Sequence, residues 1–369
     1  MFTNSLLAGA LSAAYLTVLV LQLNPHVPLL SATTWRWFLT LGLTYGLHIA
    51  IAFYLLIVIR EFFSMNSLSP GWASVRVLAW LSAIGAAVAS LLMWLNVDAF
   101  RTGLGEVAAR RMVAGAFATG ASALALLATA IVHYSYGRRG SRVGGALFTL
   151  AAVGSIALPL AARGPAVPRT EPPRWPGPDT GRHDLVPGRP RVMMLLLDGA
   201  SLEYLRTRAT EGRLPNFSKL LESGASMYLA TVRPTQPGPV WAAAATGMYA
   251  FKNGVRSASE YVARGDSRPI YQLPDHCFSH LLVQLGIVRA EPDSSSAWRA
   301  RPLWSILSNA GIPVGIVRWP LTYPARPVLG YLLSDRFHDA PGSMAQFDEQ
   351  AAYPPTVLEQ ARTSFADAE

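Results

Sequence analysis

An apolar run ends in an acid at Arg191-Val-Met-Met-Leu-Leu-Leu-Asp198-Gly199, and a hydroxyl sits between prolines in Arg233-Pro-Thr235-Gln-Pro-Gly-Pro239. A carboxylate closing a buried strand and a hydroxyl on a later loop are residue types that bring a metal and a nucleophile together. A phosphate ester resists attack because the nucleophile approaches an anionic centre. Two divalent cations relieve this by lowering the nucleophile's pKa and neutralising the phosphate oxygens. Asp198 would supply one hard oxygen ligand and Thr235 the nucleophile, with Pro237 holding Gln236 extended. The stretch Trp241-Ala-Ala-Ala-Ala-Thr246 reads as a helix whose first amides would help hold the phosphate. Each residue also has an ordinary reading: an Asp before Gly often makes a turn or a helix cap, and a Thr between prolines is often a plain loop residue.

A second cluster, Asp275-His276-Cys277-Phe-Ser-His280, has His276 and His280 four residues apart, on one face of a helix. Leu281, Leu282 and Leu285 continue that segment as an apolar stripe, which favours packing over metal binding. Cys277 is the single cysteine, so no internal disulfide framework exists.

The elements that must position Asp198 and Thr235 alternate. Val192–Leu197 is a continuous apolar run, the pattern of a strand buried on both faces. Helices are expected over Ser201–Arg208, after Leu214-Pro215 up to Gly224, over Val240–Thr246, Leu303–Asn309 and Pro355–Ala366. Further strands are expected at Ser226–Val232, Val314–Val317 and Val328–Leu333. Such alternation predicts an α/β domain with a mostly parallel sheet, with ligands at the carboxyl ends of its strands, where Asp198 falls.

The N-terminal half is of another kind. Leu6–Leu23, Trp37–Ile59, Val77–Val97, Met112–Tyr136 and Val143–Ala162 contain no Asp, Glu, Lys or Arg. Each is long enough, or nearly so, to cross about 30 Å of hydrocarbon. Five such runs argue for an all-α membrane domain over residues 1–162 rather than a soluble bundle, with Trp35, Trp37, Trp72 and Trp94 near the span ends. Met-Phe-Thr-Asn-Ser has no basic residue, so the first run reads as a retained helix rather than a signal peptide. His48 lies inside the second span and invites a proton-relay reading, but satisfaction by a neighbouring helix or by snorkelling water is the simpler one, since no span holds an acid.

The second and fourth loops carry Arg60, Arg76, Arg138, Arg139 and Arg142, against Arg101, Arg110 and Arg111 in the third. Positive charge favours the cytoplasmic side, which predicts an inner or plasma membrane protein with an extracytoplasmic C-terminal domain, against which the cluster Arg163, Arg169 and Arg174 after the fifth span argues weakly. Residues 163–190, rich in proline and arginine, form a linker to a domain over 191–369.

The net charge of +9 is almost all arginine, since Lys219 and Lys252 are the two lysines. No basic run is interleaved with aromatics, so nucleic acid is not an expected partner. Flanking arginines facing a lipid bilayer account for much of the excess.

Together these blocks resemble the type I phosphodiesterase and nucleotide pyrophosphatase group of the alkaline phosphatase superfamily. The resemblance runs from about Arg191 to Ser334. It rests on Leu-Leu-Leu-Asp198-Gly, Leu214-Pro-Asn-Phe…Leu-Leu-Glu-Ser-Gly-Ala225, Pro234-Thr235-Gln-Pro237…Trp241…Ala-Thr246-Gly247 and Lys252-Asn-Gly-Val255. It continues through Leu303-Trp-Ser-Ile-Leu…Gly311-Ile-Pro-Val-Gly-Ile-Val-Arg-Trp-Pro-Leu-Thr-Tyr-Pro324 and Gly330-Tyr-Leu-Leu-Ser-Asp335. The resemblance implies an alkaline-phosphatase-like fold acting on a phosphate-ester substrate. It also implies two bound divalent metals, commonly zinc, with Asp198 a ligand and Thr235 the metal-bound nucleophile that becomes phosphorylated.

This chain departs from the family pattern in places. Gly238-Pro239 lengthens the nucleophile loop, Gly238 stands where the family has an oxyanion-stabilising Asn, and Asn253 stands where His commonly precedes Gly. The family's remaining ligands are an Asp with a His four residues on, an Asp-His pair and a further His. Asp335-Arg-Phe-His338 has the wrong spacing for the first, and no Asp-His pair follows. The expectation is therefore a catalytic domain incomplete at its C-terminus and inactive alone, explained by a truncated reading frame, a fragment, or a split partner such as a remainder encoded downstream. Two other classes stay open. One is a membrane phosphotransferase passing the group to lipid or glycan, a layout that resembles lipoteichoic acid synthases and phosphoethanolamine transferases. The other is a non-catalytic binding protein.

Overall fold

The computed structural model describes residues 2–63, 74–136, 142–167, 192–275, 279–338 and 349–366. The linker from residue 168 onward, His276 and Cys277 lie outside the described residues.

Six helices build the N-terminal half: α1 (Phe2–Leu23), α2 (Ala32–Leu41), α3 (Leu47–Phe63), α4 (Val75–Leu104), α5 (Glu106–Tyr136) and α6 (Arg142–Arg163). A π-helical turn, Gly42–Gly46, joins α2 to α3, so the two make one span. Five helices are thus long and apolar enough to cross a membrane, as the five runs predict. In the second span only 11% of the most apolar stretch is buried, and in α6 only 17%. Water would not tolerate so much continuous apolar surface, which argues against a soluble bundle. Where α1 meets the π turn, a side chain at Gly9 would strike the backbone of Gly46, so small residues set this close crossing. Several polar groups inside the bundle are bonded within it. Tyr15 Oη lies 2.8 Å from Ser155 Oγ, and Gln22 Nε2 donates to the Pro159 carbonyl at 2.5 Å. A hydrocarbon surround requires such internal satisfaction.

Contacts divide the chain into two compact units, one of residues 1–179 with 233–369 and the other of residues 180–232. In the smaller unit, α7 (Leu202–Thr210) is capped by the Ser201 hydroxyl, and α8 (Pro215–Ser223) starts with proline and stops before Gly224. The expected strands at 192–197 and 226–232 are absent from the described residues: both stretches lack a ladder, and Met193 and Leu229 are almost fully exposed. Apolar patterning marks a segment able to join a sheet, but the strand exists only when a neighbour pairs with its backbone.

In the larger unit, α9 (Pro237–Thr246) and the short α10 (Ala250–Asn253) lead to β1 (Ser259–Ala263). Next come α11 (Ser279–Gln284) and β2 (Val288–Pro292), which pairs antiparallel with β1, Ser259 opposite Pro292. Then follow α12 (Leu303–Asn309), β3 (Val314–Val317), β4 (Gly330–Leu333), β5 (Ala352–Tyr353) and α13 (Thr356–Ala366). Strand β4 is central, parallel to β3 and antiparallel to β5. Among the described residues one pairing in three is parallel, so the mostly parallel sheet expected from the alternation is not what these residues form.

Two cores organise this part. Ala242 and Ala245 of α9 pack with Val255, Trp298, Trp304, Ile316 and Leu332, and the rings of Trp241, Trp319, Trp304 and Trp298 meet edge to face in series. The other core joins the bundle to the β1–β2 pair: Val20, Leu21, Trp37 and Leu41 pack with Tyr261, Ile270, Leu282 and Val288. Asn24 stitches the same junction, its side chain accepting from the Tyr271 and Gln272 amides and donating to the Gln272 carbonyl.

Burial pushes the Tyr261 phenol above its ordinary value of 10.0, with a Ser257 hydrogen bond opposing and the charge of Asp293 adding. The fold therefore favours the protonated phenol. Its contribution is fully present below the unfolded value of about 10 and is lost as pH rises through the folded value. Thermal midpoints measured between pH 9 and 11.5 should fall less steeply in Tyr261→Phe than in the natural protein, and equal slopes would contradict this.

Candidate active site

Asp198 ends the apolar run in a turn whose second residue, Gly199, has a left-handed φ of 71°. The ordinary reading of Asp198 as a helix cap does not hold, because Ser201 takes that place at α7. The Asp198 carboxylate is exposed and makes no hydrogen bond or ion pair among the described residues.

Thr235 stands just before α9, with Gln236 as the capping residue. Its side chain is exposed, and its neighbours are tied down. Pro234 is buried, Gln236 Oε1 accepts the Ala258 amide at 3.2 Å, and Gly238 is buried against residues 257–258. On its other side Arg233 pairs with Asp98, while its carbonyl accepts from the Thr102 hydroxyl, both at the end of α4. A hydroxyl on such a clamped loop is presented with little entropy left to lose. Asp198 and Thr235 fall in different compact units.

The helix behind Thr235 begins earlier than the alanine-rich pattern predicts, at Pro237 rather than near Val240 or Trp241. Two of its first three residues, Pro237 and Pro239, have no N–H, and the Val240 amide already donates to Gln236. Only Gly238 can offer an unengaged first-turn amide. The expectation that several amides of this helix hold a phosphate is corrected accordingly.

Gly238 also has a packing reason. A Cβ there would lie 3.0 Å from the Ser257 carbonyl oxygen and 3.2 Å from Ala258 Cα, so the family's Asn does not fit without moving that backbone. Asn253 is equally structural: fully buried, it donates to the Met248 carbonyl and accepts the Val255 amide. Gly254 beyond it has φ 93°, and a side chain there would strike Ala297 and Arg299.

The other possible ligands are engaged elsewhere. The Asp335 carboxylate accepts the amides of Leu321, Thr322 and Tyr323 at 2.8–3.2 Å, bracing a turn in which Leu321 is held at φ 65°. His280 packs edge-on against Tyr261. His48 bonds the Thr44 carbonyl one turn back, within its own span rather than on the neighbouring helix expected to satisfy it. Among the described residues no three of His, Cys, Asp and Glu gather as a metal site. These residues alone therefore do not fit a complete two-metal centre.

Residues 192–368 match the family described as type I phosphodiesterase / nucleotide pyrophosphatase. The match covers the C-terminal segment of the chain. The matched range contains both Asp198 and Thr235. Over 132 residues, 36% of this chain, the protein is 27% identical to ectonucleotide pyrophosphatase/phosphodiesterase family member 3 of Bos taurus. The chain spans 13% of that relative's length. No solved structure matches.

Two substitutions test the local geometry. Gly238→Asn should destabilise by about 1–3 kcal/mol through overpacking, read as a lower thermal midpoint; a midpoint as high as the parent's would show that residues 257–258 yield freely. Asp335→Ala should cost about 2–4 kcal/mol, because three amides and a left-handed leucine lose their acceptor. Unaltered stability in that variant would remove Asp335 from its bracing role.

Proposed function

We propose that the protein is a membrane-anchored phosphoric-ester hydrolase of the phosphodiesterase/nucleotide pyrophosphatase type, with Thr235 as nucleophile and Asp198 as a metal ligand. The observation that carries this reading is the family match across 192–368, which includes both residues. The presentation of Thr235 on a clamped loop, with its hydroxyl in no hydrogen bond among the described residues, supports it.

The chemistry follows from the hydroxyl. The Thr235 oxygen loses its proton and forms a bond to phosphorus, the bond from phosphorus to the leaving alcohol's oxygen breaks, and that oxygen takes up a proton in its place. Water then attacks the phosphothreonine, restoring the Thr235 hydroxyl and releasing the phosphoryl product. The resemblance adds two divalent ions, commonly zinc, with Asp198 among their ligands; metal dependence rests on that resemblance alone.

Anchoring is supported by the five apolar helices and their exposed apolar faces. An extracytoplasmic C-terminal domain draws on the arginines of the second and fourth loops, Arg60, Arg76, Arg138, Arg139 and Arg142. Arg36 on α2 and Arg163 at the end of α6 join Arg101, Arg110 and Arg111 on the opposite side, so the arginines flanking the spans divide five to five.

A second reading, transfer of the phosphoryl group to a membrane lipid or glycan, draws on one observation. Arg233, two residues before the nucleophile, is held by the end of the membrane helix α4. Product analysis separates the two: free alcohol and a phosphate monoester for hydrolysis of a diester, a phosphorylated lipid or glycan for transfer.

Turnover of bis(4-nitrophenyl) phosphate by the purified full chain, with zinc or manganese supplied, is the deciding assay. Thr235→Ala should lower it by about 10³-fold or more, with Thr235→Ser retaining part. Asp198→Asn should weaken the metal dependence. Turnover indifferent to Thr235→Ala would sink the assignment of the nucleophile, and a natural chain without turnover would sink the hydrolase reading.

A further inference from the structure

Helices α1, α4 and α6 finish, and α5 begins, on the side of the bundle where the C-terminal part of the same unit docks. Between them lies a cavity of about 670 Å³. Five basic side chains line it against three acidic ones. One of the acids, Glu106, is already engaged by Arg110 at 2.9 Å and Arg101 at 3.5 Å, neither of which lines the cavity.

The centre of interest is Arg163, the last residue of α6, which is 2% exposed. Its Nε donates to the Leu21 carbonyl at 2.7 Å, and its Nη2 donates to the carbonyls of Asn24 and Val27. Its Nη1 is buried and has no hydrogen-bond partner among the described residues. No carboxylate pairs with it there. A buried arginine stays charged, and a buried charge is normally paired. Carbonyl oxygens orient this one but carry no compensating charge.

A second guanidinium lines the same cavity and bonds the backbone of this residue: Arg111 Nη1 donates to the Arg163 carbonyl at 3.2 Å. Lys252 reaches the same wall from the C-terminal side. The first turn of α5 completes the cradle. Its first helical bond runs from the Ala109 amide to the Gly105 carbonyl, so the amides of Val107 and Ala108, both in the wall, precede the ladder. A helix start facing clustered guanidinium groups is a site for a multivalent oxyanion.

We propose that this junction cavity binds a phosphate group through Arg163, Arg111 and the start of α5. The wall lies at the ends of membrane helices, the level at which phospholipid headgroups stand. The same chemistry would accept free phosphate, so the source is left to the experiment. The inference rests on the membrane reading and is independent of Thr235.

The full chain would be purified in detergent and in nanodiscs of phosphatidylcholine with or without phosphatidylglycerol. Native mass spectrometry would report retained lipid, and thermal midpoints would be followed against inorganic phosphate, with acetate at equal ionic strength as control. Because Arg163 also holds three carbonyls, Arg163→Gln is not a safe sole variant. Arg111→Gln and Lys252→Gln, checked for native circular dichroism, carry the test. Retained phosphatidylglycerol that falls at least tenfold in Arg111→Gln identifies a lipid headgroup as the source. A phosphate-dependent rise in midpoint, absent with acetate and weakened tenfold in that variant, identifies free phosphate. The proposal is overturned if neither ligand acts on the natural chain, if acetate matches phosphate, or if both variants bind as tightly as the parent. Turnover is not a readout here, so failure of the hydrolase reading would leave this result intact.

Discussion

One buried guanidinium fixes the turn on which the junction of helices and strands depends. Arg163 holds the carbonyls of Leu21, Asn24 and Val27, the three that close the passage from α1 to α2. That turn in turn presents the Asn24 side chain, which reads both amides and one carbonyl of Tyr271-Gln272. Ile270, next in line, pairs with Tyr261 across an isolated bridge and packs on Trp37 and Val20 in the shared core. Each hydrogen bond to a charged donor is worth about 1.5–3 kcal/mol. Their larger consequence is geometric, since the last residue of the last membrane helix sets where the first polar turn can sit.

Helix α4 does the same for the loop that bears Thr235. Asp98 and Thr102 stand one turn apart on one face, and both engage Arg233, one through the side chain and one through the carbonyl. Asn96 binds both the amide and the carbonyl of Asp275. The end of one apolar helix thus grips the segment 233–275 at both of its ends. The Asp98–Arg233 pair is exposed, and exposed pairs add about 0–1 kcal/mol. Its effect is positional.

The membrane helices were legible because span length and hydropathy are local properties, readable without knowing what packs on what. Helices α7, α8, α12 and α13 were legible for a related reason, each having an apolar stripe and a stop near at hand. Strands β3 and β4 could be read as well, but 192–197 and 226–232 read as strands without being strands, because no backbone neighbour pairs with them in the described residues. Strands β1 and β2 were missed: Ser259–Ala263 and Val288–Pro292 are short, partly charged and far apart in sequence. The junction residues were missed too, although a signal existed. An Asn inside an apolar span is costly unless bonded, and Asn96 lies inside one, while Asp98 and Arg163 stand immediately past the span limits. Thr235 and Asp198 were visible as motif residues. That Pro237 and Pro239 leave α9 with one usable first-turn amide was also written in the sequence, but only the helix start shows that it matters.

That shortage of amides constrains any reaction at Thr235. Attack by a hydroxyl on a phosphate ester builds negative charge on the phosphoryl oxygens, and something must meet it. In many phosphate sites a helix start does so with several N–H groups; here Gly238 can give one. A reaction at Thr235 therefore takes its compensating positive charge from side chains or from the divalent ions that the family resemblance implies, and not from the backbone dipoles of this helix.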